Sequence, residues 1–243
     1  MVQCMASPIQ AIHTSLDLDR LNQQFETATP QEILAWCIEK RPTGLIQTSA
    51  FSMLVVTHML YQELRPQPPV PVVFLDTLHH FPETIETVKR AEAFYNLDLR
   101  VYRAQGADSR EAFAARYGDR LWEKDVHRFH QLTKIEPLER ALKELGVRTW
   151  ITGRRRDQSS NRQNMPILEQ DPRGYLKVNP LANWSRKQLW SYNYKNNIIY
   201  NPLHDQGFTS IGDEPLTTPV KPGEHERAGR WRGSGKTECG IHV

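Results

Sequence analysis

Cysteine is scarce in this chain, with three among 243 residues. The three are unevenly spaced, at Cys4, Cys37 and Cys239, so the sequence does not carry the cysteine pattern of a disulfide-stapled fold. Proteins of reducing compartments are poor in disulfides, and the sequence therefore predicts a cytoplasmic location. Cys37 lies in an apolar, helix-like stretch and is interpreted as a small core residue.

The chain also lacks a long apolar run and a large net charge. No run approaches the roughly 20 apolar residues that a helix needs to cross a bilayer. The first residues, which include Cys4, Asp17 and Asp19, do not form the apolar core of a secretory signal. The formal net charge is +3, which does not predict a nucleic-acid coat, although local arginine clusters can still serve a small anion. We expect neither a membrane nor a nucleic acid as a partner.

Short apolar runs alternate with amphipathic stretches along the chain, as in α/β proteins. Hydrophobic residues make up 39% and charged residues 24%, which is typical of a globular protein. We predict a single-domain, parallel-type twisted sheet with helices on both faces. Strands are predicted at residues 45–48, 71–75, 99–102, 148–152 and 175–178. Helices are predicted at residues 51–60, 82–94, 136–145 and 186–196.

The sequence changes character near its C-terminus. Residues 1–213 are predicted to form the α/β domain, with a helical part over residues 1–40. Residues 214–243 are rich in proline and glycine, which work against a continuous helix or strand. Because this segment has little apolar surface to bury, we predict a mobile lid that orders over an anionic ligand.

In a parallel sheet the ligand binds outside the carboxyl ends of the strands, which selects three turns. The turn 48–52 is rich in hydroxyls and leads into a helix, where amides favour an anion; helix capping by Ser49 or Ser52 is the alternative. The turn 76–80 follows the second predicted strand. The turn 153–159 holds three consecutive arginines, which repel one another unless an anion or an acid shares them; a solvated charge run is the alternative.

The last residues carry a thiol in a cationic setting. Cys239 lies between Lys236 and His242, and cationic neighbours favour the nucleophilic thiolate. Arg227 and Arg230 lie just upstream and could hold an anionic substrate against the sulfur. The sequence therefore indicates a redox-active or nucleophilic cysteine on a mobile arm; a frayed terminus with an incidental thiol is the alternative.

Seven motifs follow one another between about residues 47 and 242. They are Thr48-Ser-Ala-Phe-Ser52, Asp76-Thr-Leu-His-His-Phe-Pro-Glu-Thr84, Lys134-Ile-Glu-Pro-Leu-Glu-Arg-Ala-Leu142, Thr152-Gly-Arg-Arg-Arg-Asp-Gln-Ser159, Asn201-Pro-Leu-His-Asp-Gln-Gly-Phe-Thr-Ser-Ile-Gly212, Arg227-Ala-Gly-Arg-Trp231 and Glu238-Cys-Gly-Ile-His242. In this order the chain resembles the thiol-dependent reductases of adenylylated sulfate, the family that reduces phosphoadenylyl sulfate (PAPS) or adenylyl sulfate (APS). Each motif alone is a weak signal, whereas their order and the C-terminal motif together are highly specific.

The resemblance implies a fold related to the ATP pyrophosphatases, of the adenine nucleotide alpha hydrolase type, and a two-step reaction in assimilatory sulfate reduction. The thiolate of Cys239 would attack the sulfate sulfur of PAPS, leaving S-sulfocysteine and releasing adenosine 3′,5′-bisphosphate. Thioredoxin or glutaredoxin would then release sulfite. A soft thiolate nucleophile and cationic donors around the phosphosulfate suit this chemistry.

The resemblance also implies roles for single residues. The turn that would receive the phosphosulfate or phosphate contributes Thr48, Ser49 and Ser52. The basic residues that match those around the family's phosphosulfate are Lys134, Arg227, Arg230 and His242. Asp76 and Arg154 would frame the nucleotide from strand-end loops. The alternatives are that Asp76 caps a turn and that Arg154 pairs with Asp157.

One departure from the family pattern bears on cofactor and substrate. Relatives that reduce APS usually carry a 4Fe–4S iron–sulfur cluster on a Cys-Cys pair and a Cys-x-x-Cys pair, where this chain has Phe129-His130 and residues 213–216. Besides Cys239 the chain has only Cys4 and Cys37, so four cysteine ligands are not available. We therefore expect no cluster, no bound cofactor, and PAPS as the substrate.

Other possibilities stay open at this point. A cluster-free APS reductase is the nearest alternative, and a nucleotide-binding module without catalysis is another. The turn 48–52 lacks the two glycines of the ATP pyrophosphatase signature Ser-Gly-Gly-x-Asp-Ser, which argues against an ATP-using adenylyltransferase. The sequence does not identify the residues that grip the 3′-phosphate, for which Arg155, Arg156 and Arg162 are candidates. It also leaves a homodimer open.

Overall fold

The computed structural model describes residues 16–232, 236, 238 and 240–242, and in these residues six strands form one sheet. The strands are β1 (Leu45–Thr48), β2 (Val72–Leu75), β3 (Leu99–Tyr102), β4 (Thr149–Ile151), β5 (Leu168–Gln170) and β6 (Leu176–Val178). Their order is β3–β2–β1–β4–β6–β5, and all neighbours are parallel except the antiparallel edge pair β5 and β6. The chain runs outward from β1 to β3 and then returns to β4, so the topological switch point lies between β1 and β4.

Helices cover both faces of this sheet. They are α1 (Leu18–Phe25), α2 (Pro30–Lys40), α3 (Val55–His58), α4 (Pro82–Tyr95), α5 (Arg110–Tyr117), α6 (Leu121–Lys124), α7 (Val126–His130), α8 (Glu136–Glu144) and α9 (Arg186–Lys195). A π-helical turn extends α3 over Met59–Leu64, and a second one over Gln131–Ile135 joins α7 to α8. Among the described residues, no helix is both long and apolar enough to span a membrane.

Alternation along the central strands divides the core between the two faces. Ile46, Val73 and Trp150 point to the face that α8 covers, where they meet Leu138 and Leu142. Their neighbours in the strands point to the opposite face and join the larger core with the N-terminal helices. Successive side chains of a strand lie on opposite faces, so buried parallel strands are apolar throughout. The predicted single-domain parallel-type sheet with helices on both faces is confirmed.

The observed elements differ from the predicted ones in a few places. The five predicted strands are present, but the edge strand β5 (Leu168–Gln170) was not predicted, because a three-residue strand with one buried side chain leaves almost no periodic signal. The predicted helix over residues 51–60 begins later, at Val55, and continues as a π-helical turn. Residues 110–130 form three short helices that the sequence pattern did not indicate.

The N-terminal helices are tied to the far edge of the sheet. Thr29 and Glu32 form a capping box that begins α2, with Pro30 in its first turn. The side-chain amide of Asn22 donates to the Leu168 carbonyl and its oxygen accepts from the Leu168 amide, both at 2.8 Å. Helices α1 and α2 lie within the segment 1–40, of which residues 1–15 lie outside the described residues, and the predicted division into domains stays a prediction.

The C-terminal segment packs against the domain wherever the structure describes it. A 3₁₀ turn covers Glu214–Leu216, and Thr217 pairs with Arg230 in an isolated antiparallel bridge. Trp231 is 2% exposed, and its ring N–H lies 3.3 Å from Nε2 of His130. A Cβ atom on Gly229 would lie 2.0 Å from the Thr218 carbonyl oxygen, so this close approach needs glycine. The mobility predicted for residues 214–243 stays a prediction.

Candidate functional site

A cavity of about 270 Å³ opens at the carboxyl ends of β1, β2 and β4, beside the switch point. One side, the sheet wall, is formed by lining residues within 47–53 and 152–162, among them Thr48, Ser49, Arg154, Arg155 and Arg162. The opposite side, the tail wall, comes from the C-terminal segment, where Glu226, Arg227, Arg230, Ile241 and His242 line the cavity. Seven lysine or arginine side chains line the cavity, against one acidic side chain, Glu226, among the described residues. This balance favours an anionic ligand.

The turn after β1 presents its hydroxyls to the cavity. Thr48, Ser49 and Ser52 all line it, as the sequence predicted. The cap residue of α3 is Leu54, which makes no side-chain cap, so neither serine caps this helix. Instead Ser49 accepts a hydrogen bond from the Phe51 amide at 3.2 Å.

Ser52 has a partner that sequence reasoning missed. Its hydroxyl lies 2.9 Å from Nε2 of His204, which comes from the 3₁₀ turn Pro202–Gln206. Burial lowers the pKa of His204 to about 4, so the imidazole is neutral at pH 7. Because the His204 ring is neutral, it can orient the Ser52 hydroxyl without adding positive charge to the cavity. The motif beginning at Asn201 was the only sequence signal for it.

The three consecutive arginines point in different directions, and each has an acidic partner. Arg154 lines the cavity, pairs with Glu169 and donates to the side-chain oxygen of Asn179 at 3.2 Å. Arg155 also lines the cavity and donates to Glu226 at 2.8 Å and to Asp157 at 2.9 Å. Thus Asp157 pairs with Arg155 rather than with Arg154.

Arg156 has a structural partner outside the cavity. It reaches Glu26, the residue that follows α1, at 2.7 Å and is not among the residues that line the cavity. Of the three arginines suggested for a 3′-phosphate, the cavity therefore receives Arg155 and Arg162. Burial raises the pKa of Glu226, the acidic residue beside Arg155, although Arg155 acts to lower it.

Lys134 reaches the cavity from the π-helical turn between α7 and α8. Its ammonium lies 2.5 Å from Oδ2 of Asp213, a carboxylate that is wholly buried. Burial acts to raise the pKa of Asp213, but Lys134 and His130 hold it well below its usual range. π-Helical turns inside longer helices occur frequently at functional sites, and this one places a cation at the cavity wall.

The tail wall brings cationic side chains and two residues of the C-terminal motif, Ile241 and His242, to the cavity. Arg230 donates to the Ile211 carbonyl at 3.0 Å, and its guanidinium lies 4.4 Å from the centre of the Trp231 ring. His242 stacks on Trp150 with ring centres 5.6 Å apart and planes at 14°. Burial, together with the nearby Arg154, holds the pKa of His242 well below its usual range, so this ring is neutral at pH 7.

Glu238 places a carboxylate against two of the cavity's arginines. It accepts two hydrogen bonds from Arg162, both at 2.8 Å, and one from Arg227 at 3.1 Å. The paired contact with Arg162 is the geometry in which a guanidinium also binds phosphate or sulfate oxygens. The next residue, Cys239, lies outside the described residues.

Asp76 is the one predicted site residue among those described that the structure does not bring to the cavity wall. Its carboxylate accepts from the Leu78 amide at 2.9 Å and from Arg103 at 2.7 Å. These contacts fix the turn after β2 and agree with the turn-capping alternative. A role for Asp76 in binding the nucleotide stays a prediction.

The residues at the cluster-ligand positions of APS-reducing relatives do not suit an iron–sulfur cluster. His130 and Asp213 meet there, with Nε2 of His130 and Oδ2 of Asp213 3.5 Å apart, and neither provides a thiolate. In the part of the chain that the structure describes, no group of three or more histidine, cysteine, aspartate or glutamate side chains is arranged to hold a metal ion.

Two named proteins are similar in sequence to this chain over most of its length. The chain is 45% identical over 237 residues to a phosphoadenosine phosphosulfate reductase from Emericella nidulans, covering 96% of this chain and 77% of the relative. It is 40% identical over 213 residues to an adenosine 5′-phosphosulfate reductase from Lysinibacillus sphaericus, covering 87% of this chain and 89% of the relative.

Two solved structures share the fold. A phosphoadenylyl-sulfate reductase from Candida auris, crystallised with phosphate, matches with a TM-score of 0.75 and 40% identity, over 84% of this chain and 96% of that one. An FMN adenylyltransferase from Candida glabrata matches with a TM-score of 0.60 and 17% identity, over 94% of this chain and 81% of that one, which shows the fold alone.

The family model described as the phosphoadenosine phosphosulfate reductase domain matches residues 46–219. This range contains the sheet wall and Lys134, and it ends before Arg227. The match covers most of the chain, and together with the relatives it confirms the family resemblance found in the sequence. The protein belongs to the phosphoadenosine phosphosulfate reductase domain family.

Proposed function

We propose that the protein reduces PAPS to sulfite and adenosine 3′,5′-bisphosphate. The observation that carries the proposal is the lining of the cavity at the switch point, with seven cationic side chains and one acidic one. Ile241 and His242, which follow Cys239 in the sequence, belong to that lining. These two neighbours in the sequence support a role for the Cys239 thiol in chemistry at the cavity.

The reaction begins with nucleophilic attack by the Cys239 thiolate on the sulfate sulfur. A bond forms between the two sulfur atoms, and the bond from sulfur to the phosphate oxygen breaks with its electron pair on that oxygen. The products are S-sulfocysteine and adenosine 3′,5′-bisphosphate. Lys134, Arg227 and Arg230 supply fixed positive charge where the departing phosphate gains negative charge.

The second step needs two electrons, which a protein dithiol supplies. Thioredoxin or glutaredoxin attacks the sulfonated cysteine, sulfite departs, and the dithiol ends as a disulfide while Cys239 returns as a thiol. No resident cofactor or iron–sulfur cluster takes part in this proposal. Opening of the segment 214–243 would present Cys239 to the reductant. The cytoplasm, whose thiol pool is reducing, suits this step.

PAPS is preferred to APS in the proposal for two reasons. The chain lacks the cysteines of cluster-bearing APS reductases, and Arg155 and Arg162 stand in the cavity wall as candidates for the 3′-phosphate. Cluster-free reduction of APS is the second candidate, because a relative at 40% identity carries that name.

The deciding experiment measures sulfite release from PAPS and from APS side by side, with reduced thioredoxin and then with reduced glutaredoxin. We expect turnover of PAPS with at least one of the two reductants, and S-sulfonated Cys239 in a mass spectrum when the reductant is omitted. A preference for APS would overturn the substrate while keeping the chemistry. Nucleotide binding without sulfonation would indicate a non-catalytic module, and pyrophosphate release that needs ATP and magnesium would indicate an adenylyltransferase.

A further inference from the structure

Lys134 differs from the arginines with acidic partners at the cavity in that its partner carboxylate is wholly buried. A lysine side chain has a flexible four-carbon stem and a strongly hydrated head, so an unanchored ammonium at a cavity wall would be poorly placed. Here the side chain is 10% exposed, and Asp213 is its hydrogen-bond partner among the described residues. One of three N–H donors goes to Asp213, which leaves two for the cavity side.

The backbone around Asp213 is fixed at several points, so its carboxylate is a rigid anchor. Asp213 forms an isolated bridge with His80, and the Glu214 amide donates to the His79 carbonyl at 2.7 Å. The Asp213 carbonyl accepts from the Leu216 amide at 3.1 Å and from the Thr217 hydroxyl at 2.7 Å. Because the backbone at Asp213 is held, its carboxylate also fixes the position of the Lys134 ammonium that it binds.

The charge of Asp213 is directed mainly at Lys134. The second carboxylate oxygen, Oδ1, is buried and has no hydrogen-bond partner among the described residues. Oδ2 lies 2.5 Å from the ammonium and 3.5 Å from Nε2 of His130. Burial lowers the pKa of His130 to about 4, so this ring adds no positive charge at pH 7. The carboxylate and the ammonium therefore depend on each other.

We propose that Asp213 is a positioning residue, whose carboxylate fixes the Lys134 ammonium where negative charge collects on the departing phosphate. The inference rests on the proposed reduction of PAPS. In this proposal Lys134 stabilises the transition state more than it stabilises the bound substrate. Asp213 acts only through Lys134. A charge that is placed before the reaction needs no reorganisation during it.

The test is a double-mutant cycle with Asp213→Asn, Lys134→Ala and the double variant, in steady-state PAPS turnover. We expect Asp213→Asn to lower kcat by about 10- to 100-fold, because a displaced catalytic group costs rates of that order. Its KM should not rise, because an ammonium without its carboxylate still attracts the anionic substrate. The double variant should be no slower than Lys134→Ala, within about twofold. Additive losses of kcat, or a higher KM in Asp213→Asn, would overturn the proposal.

A binding cycle by calorimetry with adenosine 3′,5′-bisphosphate separates this proposal from the proposed function. If the wild-type protein releases no sulfite from PAPS, the proposed function is wrong. The binding cycle does not need turnover, so it still tests the role of Asp213. We expect affinity at or above that of wild type in Asp213→Asn, and equally weakened affinity in Lys134→Ala and the double variant. If Asp213→Asn weakens binding both in the wild-type background and in the Lys134→Ala background, Asp213 does not act through Lys134 and the proposal is wrong.

Two further variants cover folding and specificity. Lys134→Arg keeps the ion pair with Asp213 but moves the cationic donors, so it should lose kcat at least tenfold with KM near that of wild type. An unchanged kcat in this variant would overturn the positional argument even if Asp213→Asn does not fold. Glu26→Gln is the matched control, because it removes a carboxylate from Arg156 outside the cavity and should leave both constants unchanged.

Discussion

The two walls of the cavity are held in place by different kinds of contact. The sheet wall is fixed by backbone hydrogen bonds that continue the sheet, such as the Ser49 amide to the Val73 carbonyl at 3.0 Å and the Thr152 amide to the Val178 carbonyl at 2.9 Å. The tail wall meets the cavity through side chains, with Glu238 on arginines and His242 on a ring. An anion can compete for contacts of the second kind without disturbing the first.

This difference indicates a division of labour between the walls. The sheet wall is suited to selecting the nucleotide, because its donors are fixed before the ligand arrives. The tail wall is suited to chemistry that needs closing and opening, because polar contacts such as those of Glu238 with arginines can be exchanged for contacts with an anion. The comparison can be tested by changing one wall at a time.

The largest effect is expected from replacing Cys239 by Ser. Sulfite release should fall by at least about a thousandfold, because a serine hydroxyl is a far weaker nucleophile than a thiolate at neutral pH. The affinity for adenosine 3′,5′-bisphosphate, measured by calorimetry, should stay within about twofold of wild type because the sheet wall is intact. Substantial turnover in this variant would end the proposed mechanism, and a large loss of affinity would end the division between the walls.

Hydrogen exchange of residues 214–232 should respond to ligand much more than exchange in β1 and β4. If nucleotide binds only the closed segment, a concentration of about 100 times Kd adds about 2.7 kcal/mol to closing, which slows exchange by up to about a hundredfold. The central strands β1 (Leu45–Thr48) and β4 (Thr149–Ile151) serve as the internal control, since they already form the core. Equal protection of the segment with and without nucleotide would contradict the predicted lid.

Adjacent arginines in the sheet wall provide a matched pair for substrate recognition. Arg155→Gln should raise KM for PAPS by about 10- to 150-fold, because a hydrogen bond to a charged group is worth about 1.5–3 kcal/mol. Arg156→Gln should leave KM unchanged, since Arg156 pairs with Glu26 outside the cavity. If Arg155 contacts the 3′-phosphate, KM for APS changes in neither variant. Equal losses with both nucleotides would place Arg155 on a group that PAPS and APS share.

Much of the fold was predictable from the sequence because the central strands are buried on both faces. Runs such as Val72–Leu75 stand out as apolar, and the strand-end rule then locates the turns at the cavity. The strand Leu168–Gln170 was missed because only one of its three residues is buried, whereas all three residues of β4 and of β6 are buried. The helices between residues 110 and 130 were missed because the longest of them has eight residues and one buried side chain.

The site was predictable to the extent that its residues lie in motifs. The partners of those residues were not, because they come from distant parts of the chain. Asp213 is 79 positions from Lys134, and His204 is 152 positions from Ser52. Nothing in the local pattern around Asp213 indicates a buried carboxylate, since acidic residues are mostly exposed. Tertiary packing selects such pairs, and their spacing leaves no periodic signal.

The smallest effect is expected from removing the Glu238 carboxylate, which pairs with Arg162 of the sheet wall and Arg227 of the tail wall. Glu238→Gln should tighten binding of adenosine 3′,5′-bisphosphate by about two- to fivefold, because a partly exposed ion pair that the ligand displaces is worth about 0.5–1 kcal/mol. Glu224→Gln is the control, since Glu224 pairs with Arg232 on the same segment but does not line the cavity.

The pH dependence of the contact between Glu238 and the two arginines tests the same competition independently. Burial acts to raise the pKa of Glu238, but Arg162 and Arg227 hold it below the usual value of 4.5. Since the folded pKa is lowered, the contact is at full strength above the usual value and is lost as the pH falls through the folded pKa. Calorimetry at neutral pH therefore measures the competition at its maximum, and the advantage of Glu238→Gln over wild type should shrink as the pH falls below 4.5 and through the lowered pKa of Glu238. Weaker binding in Glu238→Gln at neutral pH would mean that Glu238 orients the arginines for the ligand instead of competing with it.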